Sequence, residues 1–481
     1  MLVSLYTVRV VLATLGAEDY GIYNVVAGVV VLFSFVNSAM ATSVQRYLNF
    51  YIGKNDAEKT QTVFSKSLII HGFICLIFIL LAETAGLWFL NSKLNIPAER
   101  SGAAFWCYQA AVITTLINIM RVPYNAVIIA YEKMNFFAGL SIVEALLKLG
   151  VVFLLVLSPL DKLVSYSFLL TVVALLIFVA YKFYCNKNFE TAHYKKSSDR
   201  DLGKELVSFS GWSLFGAVAN VANSQGTNIV LNIFTNVTVN AAMGIANQVN
   251  AAVYSFVSNF QTAFNPQLVK NYAAGEREEF LILLNRTAKF SFYLLWLIVL
   301  PVFINCEFLL SLWLKNVPEY TVNFVRLILI FSLIESLNGP LWISIQATGK
   351  IRFYQIIIGI INILNLPFSI IAFCLGANPY CILYIRIVLN CFAFGFRLLL
   401  SKKYFNLSIR FFVFESIAKP FLIVIISSVA TLLVFKLVEN QILQFFLTCV
   451  ISVFISGILV LFIGFNKNER TVVLTKIWRK R

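Results

Sequence analysis

Apolar runs of about twenty residues alternate with short polar breaks along nearly the whole chain. "LIIHGFICLIFILLAETAGLWFL" and "FLTCVISVFISGILVLFIGF" approach or exceed the ~20 residues that a helix needs to cross ~30 Å of hydrocarbon. Read between the breaks, the runs give fourteen spans: 1–15, 22–51, 63–90, 102–130, 136–157, 163–183, 207–232, 240–269, 284–311, 321–347, 353–375, 379–400, 415–436 and 442–465. The breaks carry turn chemistry, as in "GKNDAEK" at Gly53, "SPLDK" at Ser158 and "GANP" at Gly376. Lipid offers no partner to an open strand edge, so the spans are helices. The pattern predicts an all-α polytopic membrane protein.

The spans repeat. Gly21-Ile22-x-Asn24 matches Gly244-Ile245-x-Asn247, and "SFVNSAMATSVQRYLNFYIGKND" from Ser34 resembles "SFVSNFQTAFNPQLVKNYAAGER" from Ser255. "VPYNAVIIAYEKMNFF" from Val122 parallels "GPLWISIQATGKIRFY" from Gly339, placing Pro123 on Pro340 and Lys133 on Lys350. The shift is six spans, an even number, so both copies share one orientation. Two parallel six-helix repeats plus two C-terminal helices are expected, an arrangement that in transporters encloses a midplane cavity with alternating access. The domain reading is 1–183 for the first bundle, 184–206 for a basic cytoplasmic linker, 207–402 for the second bundle, and 403–481 for the extra helices and basic tail. Met1 falls opposite Ser224, inside the seventh span, so the first helix reads as truncated.

Composition agrees: 60% of residues are hydrophobic and 12% charged, with a mean hydropathy of +0.83. The net charge of +16 does not point to nucleic acid. With the first loop outward, inward loops hold 26 Lys and Arg and outward loops 5, the asymmetry of a cytoplasmic collar on anionic lipid with the C-terminus inside.

"LGAEDYGIYNVVAG", "IANQVNAAVYSFVSNFQTAFNPQLVKNYAAGE" and "QATGKIRFYQIIIGIINILNLP" resemble the Wzx-type O-antigen and oligosaccharide flippases of bacterial polysaccharide biosynthesis. These belong to the multidrug/oligosaccharidyl-lipid/polysaccharide exporter superfamily. The resemblance covers nearly the whole chain and departs at the short first helix. It implies a bacterial inner-membrane protein that carries undecaprenyl-pyrophosphate-linked oligosaccharide to the periplasmic leaflet, with the polysaccharide polymerase machinery as a protein partner. Alternatives are a cation-coupled drug or metabolite antiporter of the same superfamily and a lipid II flippase.

A pyrophosphate needs cations and a glycan needs neutral hydrogen-bonding groups. Arg9, Arg46, Arg121, Lys148, Arg326, Arg386 and Lys419 lie within spans, where a charge normally faces a cavity or a partner. Arg9, Arg46, Arg121 and Lys148 are the pyrophosphate candidates, although Arg46 sits where it could snorkel and Lys148 follows Glu144 at i+4. Asn247, Asn250, Tyr254, Ser258, Gln261 and Asn265 form one helical face, and Asn220, Ser224, Asn228 and Asn232 another. They read as cavity lining, with interhelical hydrogen bonding as the plain alternative. Glu83, Glu144, Glu307, Glu335 and Glu415 are the acids within spans, and the central Glu335 is the candidate for ion coupling. Intramembrane bases outnumber these acids, which favours an anionic ligand over a cationic drug. Pro123, Pro266, Pro340 and Pro367 are expected to bend helices. No CxxC, no nucleotide-binding GxxxxGK[ST] and only two histidines occur, so neither catalysis, metal nor cofactor is expected.

Overall fold

The computed structural model describes residues 34–92, 97–157, 161–197, 199–314, 316–438, 440–467 and 469–471, with a few positions between 10 and 26. The described residues form helices α1 (Ser34–Gly53), α2 (Ala57–Ser92), α3 (Ser101–Ala130), α4 (Met134–Leu157), α5 (Lys162–Asn188), α6 (Arg200–Phe234) and α7 (Val237–Ala274). They continue with α8 (Arg277–Ile304), the short α9 (Cys306–Trp313), α10 (Thr321–Ala347), α11 (Arg352–Cys374), α12 (Cys381–Phe405), α13 (Ile409–Phe435) and α14 (Gln441–Gly464). Ten of these, α2–α5, α8 and α10–α14, are long and apolar enough to cross a membrane. Of the other long helices, α6 and α7 carry the polar faces that lower their hydropathy. Each predicted span from the second to the fourteenth meets one described helix, except the ninth, which meets two. The first lies largely outside the described residues.

One span is corrected. Residues 284–311 read as continuous, but α8 stops at Ile304 and α9 starts at Cys306. Pro301 cannot donate an amide hydrogen in the last turn. Asn305 ends the helix, donating both its backbone amide at 3.1 Å and its side-chain amide at 2.9 Å to the Pro301 carbonyl and its side-chain amide to Thr448 at 2.8 Å.

Helix ends follow local chemistry. Asp56, Asp161 and Asn236 cap α2, α5 and α7 by accepting from the amides of Lys59, Val164 and Val239. Gly275 ends α7 in the left-handed region at φ 81°, where a side chain would be strained.

The chain divides into two compact units, Met1–Ala217 and Val218–Arg481. In the first, α1 packs on α2 and α3, α2 on α3, and α5 on α3 and α4. In the second, α7 packs on α8 and α10, α8 on α10, and α12 on α10 and α11. These main contacts therefore recur in both units, with α1–α5 corresponding to α7, α8, α10, α11 and α12. Local geometry repeats as well. Pro123 and Pro340 sit inside α3 and α10, and the turn after each helix carries a left-handed residue, Glu132 at φ 57° and Gly349 at φ 77°.

The first unit's core gathers Phe78, Ala104, Tyr108, Val112 and Leu163, and the second's main core Leu295, Phe324, Ile328 and Leu329. Outside these, Phe73, Leu76, Val429 and Phe454 are more than half exposed, an apolar perimeter suited to lipid rather than water. π-helical turns interrupt α2 at Ala82–Gly86 and α13 at Phe414–Ala418 and end α14 at Val460–Gly464. In the first of these, Tyr108 donates its hydroxyl to the Ala82 carbonyl at 2.8 Å and fills the space beside Gly86 that a Cβ would need.

Candidate functional site

In the first unit, Arg121 of α3 donates to Glu144 of α4 at 3.1 Å, and Lys148 reaches the other oxygen of the same carboxylate at 2.7 Å. Arg121 also lies 5.8 Å from the Tyr181 ring of α5. Two cations share one carboxylate, so the group keeps one net positive charge among apolar spans. Arg121 is partly exposed and Lys148 about half exposed, leaving donors open to a ligand. The i+4 pairing of Glu144 with Lys148 is thus present, and Arg121 joins it from a neighbouring helix.

Arg46 sits differently. It is buried on α1, with its guanidinium 4.4 Å from the Tyr47 ring, 4.7 Å from Phe50 and 5.6 Å from Phe209. These faces hold the cation by its charge on their π clouds. Arg9 lies outside the described residues.

In the second unit, the polar row on α6 runs along an exposed side: Asn220 and Ser224 are exposed and Asn228 is half-buried. Asn220 accepts from Asn362 of α11 at 2.8 Å. The buried polar contacts lie on the adjacent strip, where Asn365 of α11 donates to Asn223 at 3.1 Å and to Thr227 at 3.5 Å. Periodicity alone did not single out Asn223 and Thr227, because they flank the regular row.

The α7 row is largely spent on α10. Asn250 accepts from Ser332, and the Tyr254 hydroxyl donates to the Glu335 carbonyl at 3.5 Å. Gln261 is buried and donates to Ser291 of α8 at 3.1 Å and to the Ser336 carbonyl at 2.9 Å. Asn247 stays half-buried, and Asn265 keeps a buried Oδ1 without a hydrogen-bond partner. Three members of this row therefore join helices.

Glu335 is half-buried on α10. Asn338 donates to its carboxylate at 3.0 Å and to Asn390 of α12 at 3.0 Å. Around it, Arg386 lies 4.3 Å from the Phe331 ring, and buried Arg397 donates to the Tyr354 hydroxyl at 2.8 Å. Neither arginine reaches the Glu335 carboxylate within ion-pair distance. The amide of Asn338 therefore holds this carboxylate next to two cations without neutralising it.

Two collar residues are displaced from their expected place. Lys289 and Arg397, counted among the cytoplasmic basics, are buried at 2% and 7% exposure. Lys289 of α8 meets Glu469 at 2.6 Å and Glu415 at 3.9 Å, Arg286 meets Glu469 at 3.0 Å, and Lys419 meets Glu415 at 2.5 Å. Burial opposes ionisation of Glu469, yet the Lys289 hydrogen bond, the Asn466 amide and the charges of Lys289 and Arg286 hold its carboxyl below the ordinary glutamate value. This network ties the ends of α13 and α14 to α8. Sequence showed each charge but not their convergence.

Comparison with known proteins adds to this geometry. A family model described as "Polysaccharide biosynthesis protein" matches residues 1–272, more than half of the chain, and a model described as "MatE" matches residues 224–371. Several solved structures share the fold. An outward-facing multidrug resistance MATE family transporter of the MOP superfamily aligns with a TM-score of 0.74 at 13% identity, covering 84% of this chain and 92% of its own. A MOP superfamily transporter from Pyrococcus furiosus Vc1 (DSM3638), described by the reverse polarity of its binding pocket, gives 0.70 at 12%, covering 84% and 94%. A MATE structure in the straight conformation gives 0.70 at 13%, covering 83% and 95%. At these identities the likeness carries the fold. No curated protein matches the chain.

Proposed function

Because the chain belongs to the polysaccharide biosynthesis protein family of membrane transporters, we propose that it is a flippase for undecaprenyl-pyrophosphate-linked oligosaccharide. It works by alternating access in the bacterial inner membrane, with its C-terminus in the cytoplasm, and serves O-antigen, capsular or exopolysaccharide assembly ahead of the polymerase machinery. The observation that carries this reading is the group formed by Arg121, Glu144 and Lys148, whose surplus positive charge suits a pyrophosphate. Arg121 offers a planar fork of donors and Lys148 a point charge. A charge placed among apolar spans is costly unless it serves a partner or a ligand. Arg9 and Arg46 complete the candidate cation set. The amides and hydroxyls of Asn220, Ser224, Asn228 and Asn247 are the groups left for sugar hydroxyls. Glu335, held by Asn338 near Arg386 and Arg397, is the coupling carboxylate.

The test is deletion of the gene in its host, with lipid-linked oligosaccharide measured in the membrane and glycan at the surface. Accumulation of complete lipid-linked oligosaccharide with loss of surface glycan supports the proposal, and restoration by the wild-type gene but not by Arg121→Ala places the cation group in it. A second reading, a cation-coupled antiporter for drugs or metabolites, draws on the MatE match over residues 224–371. It predicts unchanged glycan pools and reduced efflux in the same strain.

A further inference from the structure

The second unit holds a groove of about 920 Å³ between α8, α10, α13 and the start of α14. Its long wall is one face of α8, where Phe292, Trp296, Val299 and Phe303 recur at steps of 4, 3 and 4. Leu333 of α10 and Phe421 of α13 close the apolar part. Trp296 uses its indole N–H on Ser427 at 3.0 Å, so the ring presents carbon to the groove. The charged and amide-bearing lining residues are Asn305, Glu307, Arg326, Gln441 and Gln444, at the end near the α13–α14 connection, while Ser428 of α13 is a small polar residue along the slot. The amides of Asn305 and Gln444 are committed within the protein, the former to Pro301 and Thr448 and the latter to the Phe435 carbonyl at 2.6 Å.

The two charges at this end are not committed in the same way. Arg326 Nη2 stands 3.9 Å from the Glu307 carboxylate, beyond hydrogen-bond length, and its Nε makes a long 3.4 Å contact to the Phe303 carbonyl. The Glu307 side chain is 76% exposed and that of Arg326 32%. A cation and an anion thus stand side by side at the mouth of an apolar slot, each with free hydrogen-bonding positions. From Phe292 to Asn305 the slot runs thirteen residues along α8, or ~20 Å at 1.5 Å per residue. One leaflet of hydrocarbon is ~15 Å deep, half of the ~30 Å core. The slot is therefore as deep as one leaflet with its polar interface, and a much longer isoprenoid chain would protrude from it.

We propose that this groove holds a zwitterionic phospholipid of the leaflet on the side of the α13–α14 connection. One acyl chain lies along α8, the phosphate meets Arg326, and a primary ammonium meets Glu307. The ligand satisfies both charges at once, which neither a purely anionic headgroup nor a neutral one does. The site lies wholly within the second unit and does not depend on which solute the transporter moves.

Native mass spectrometry of the purified full-length protein tests this, with phosphatidylethanolamine, phosphatidylglycerol and undecaprenyl phosphate added separately. The expected result is retention of phosphatidylethanolamine about tenfold above the other two. Arg326→Ala and Glu307→Ala should each lower that retention severalfold, and Ser428→Trp, which fills the slot, should remove it. Arg326 and Glu307 stand at the polar mouth and not in a packed core, so these two variants keep the test informative if Ser428→Trp misfolds. Equal retention of all three lipids, or retention unchanged by both charge variants, overturns the proposal. Preferential retention of undecaprenyl phosphate also overturns it and would make the groove a site for the longer chain.

Discussion

Lys289 Nζ stands 2.6 Å from the Glu469 carboxylate, 180 positions further along the chain, with both side chains under one-tenth exposed. This contact anchors the end of α14 to α8, and Glu415 with Lys419 extends the anchor into the π-helical turn of α13. Removing Glu469 leaves buried Lys289 with the longer contacts to Glu415 at 3.9 Å and the Gly464 carbonyl at 3.4 Å, at a cost of up to about 3–5 kcal/mol. Glu469→Ala should therefore lower the melting temperature in detergent sharply. The double change Lys289→Met with Glu469→Leu should recover most of the loss, because the pair's desolvation cost vanishes with it. Equal melting of the single and double variants would contradict this account.

The same carboxyl sets a pH dependence. Its folded pKa lies below the ordinary 4.5, so the unfolded chain binds the proton more readily. The stabilisation is full above that ordinary value and is lost as pH falls through the depressed one. Melting should be insensitive to this pair between about pH 6 and 8, and should decline below about pH 4 in the wild type. Glu469→Gln should lack that part of the acid sensitivity, which a pH series of melting curves would reveal.

Glu144 separates the two transport readings. Glu144→Gln raises the positive charge around Arg121 and Lys148. A flippase for a pyrophosphate should keep at least wild-type surface glycan with this variant, whereas Arg121→Lys, which loses the bidentate fork, should lower it about tenfold. A transporter of cations would leave surface glycan unchanged in both variants and lose efflux with Glu144→Gln, which removes the acid. Surface glycan in the complemented deletion strain, normalised to protein level, gives the comparison.

Glu335 is tested by coupling. If it carries the driving ion, Glu335→Gln should abolish stimulation of transport by an imposed proton or Na⁺ gradient in proteoliposomes while leaving ungradiented exchange. Asn338→Ala, which removes the amide that holds the carboxylate at 3.0 Å, should weaken the same stimulation in part. A Glu335→Gln protein that responds fully to both gradients would remove this residue from the coupling path.

A Cβ at Gly339 would stand 2.2 Å from Gln261 Oε1. Gly339→Ala must therefore displace Gln261 and break its bonds to Ser291 and the Ser336 carbonyl, with an expected loss of about 1–3 kcal/mol. In a Gln261→Ala background the same change should be close to neutral. A double-mutant cycle on thermal melting reads the coupling directly.

The chain's spans, turns and internal repeat are legible without coordinates, because each depends on local rules. A helix must carry about twenty apolar residues to cross hydrocarbon, and Pro, Gly and Asn mark bends and ends wherever they fall. The "GANP" turn shows this, with Gly376 in the left-handed region at φ 80°, whereas the left-handed Glu132 after α3 carries no such signal. Tertiary structure alone decided how the polar residues are used. Asn250, Tyr254 and Gln261 read as cavity lining yet bond to α8 and α10, while Asn223 and Thr227, outside the regular row, are the buried contacts of α6. Lys289 read as a collar residue and is instead the centre of a buried network. The reason is that a polar side chain in a membrane helix is satisfied equally well by water in a cavity or by a neighbouring helix. Periodicity records that a face is polar, and only the packing of other helices, residues far away in sequence, determines which partner it meets.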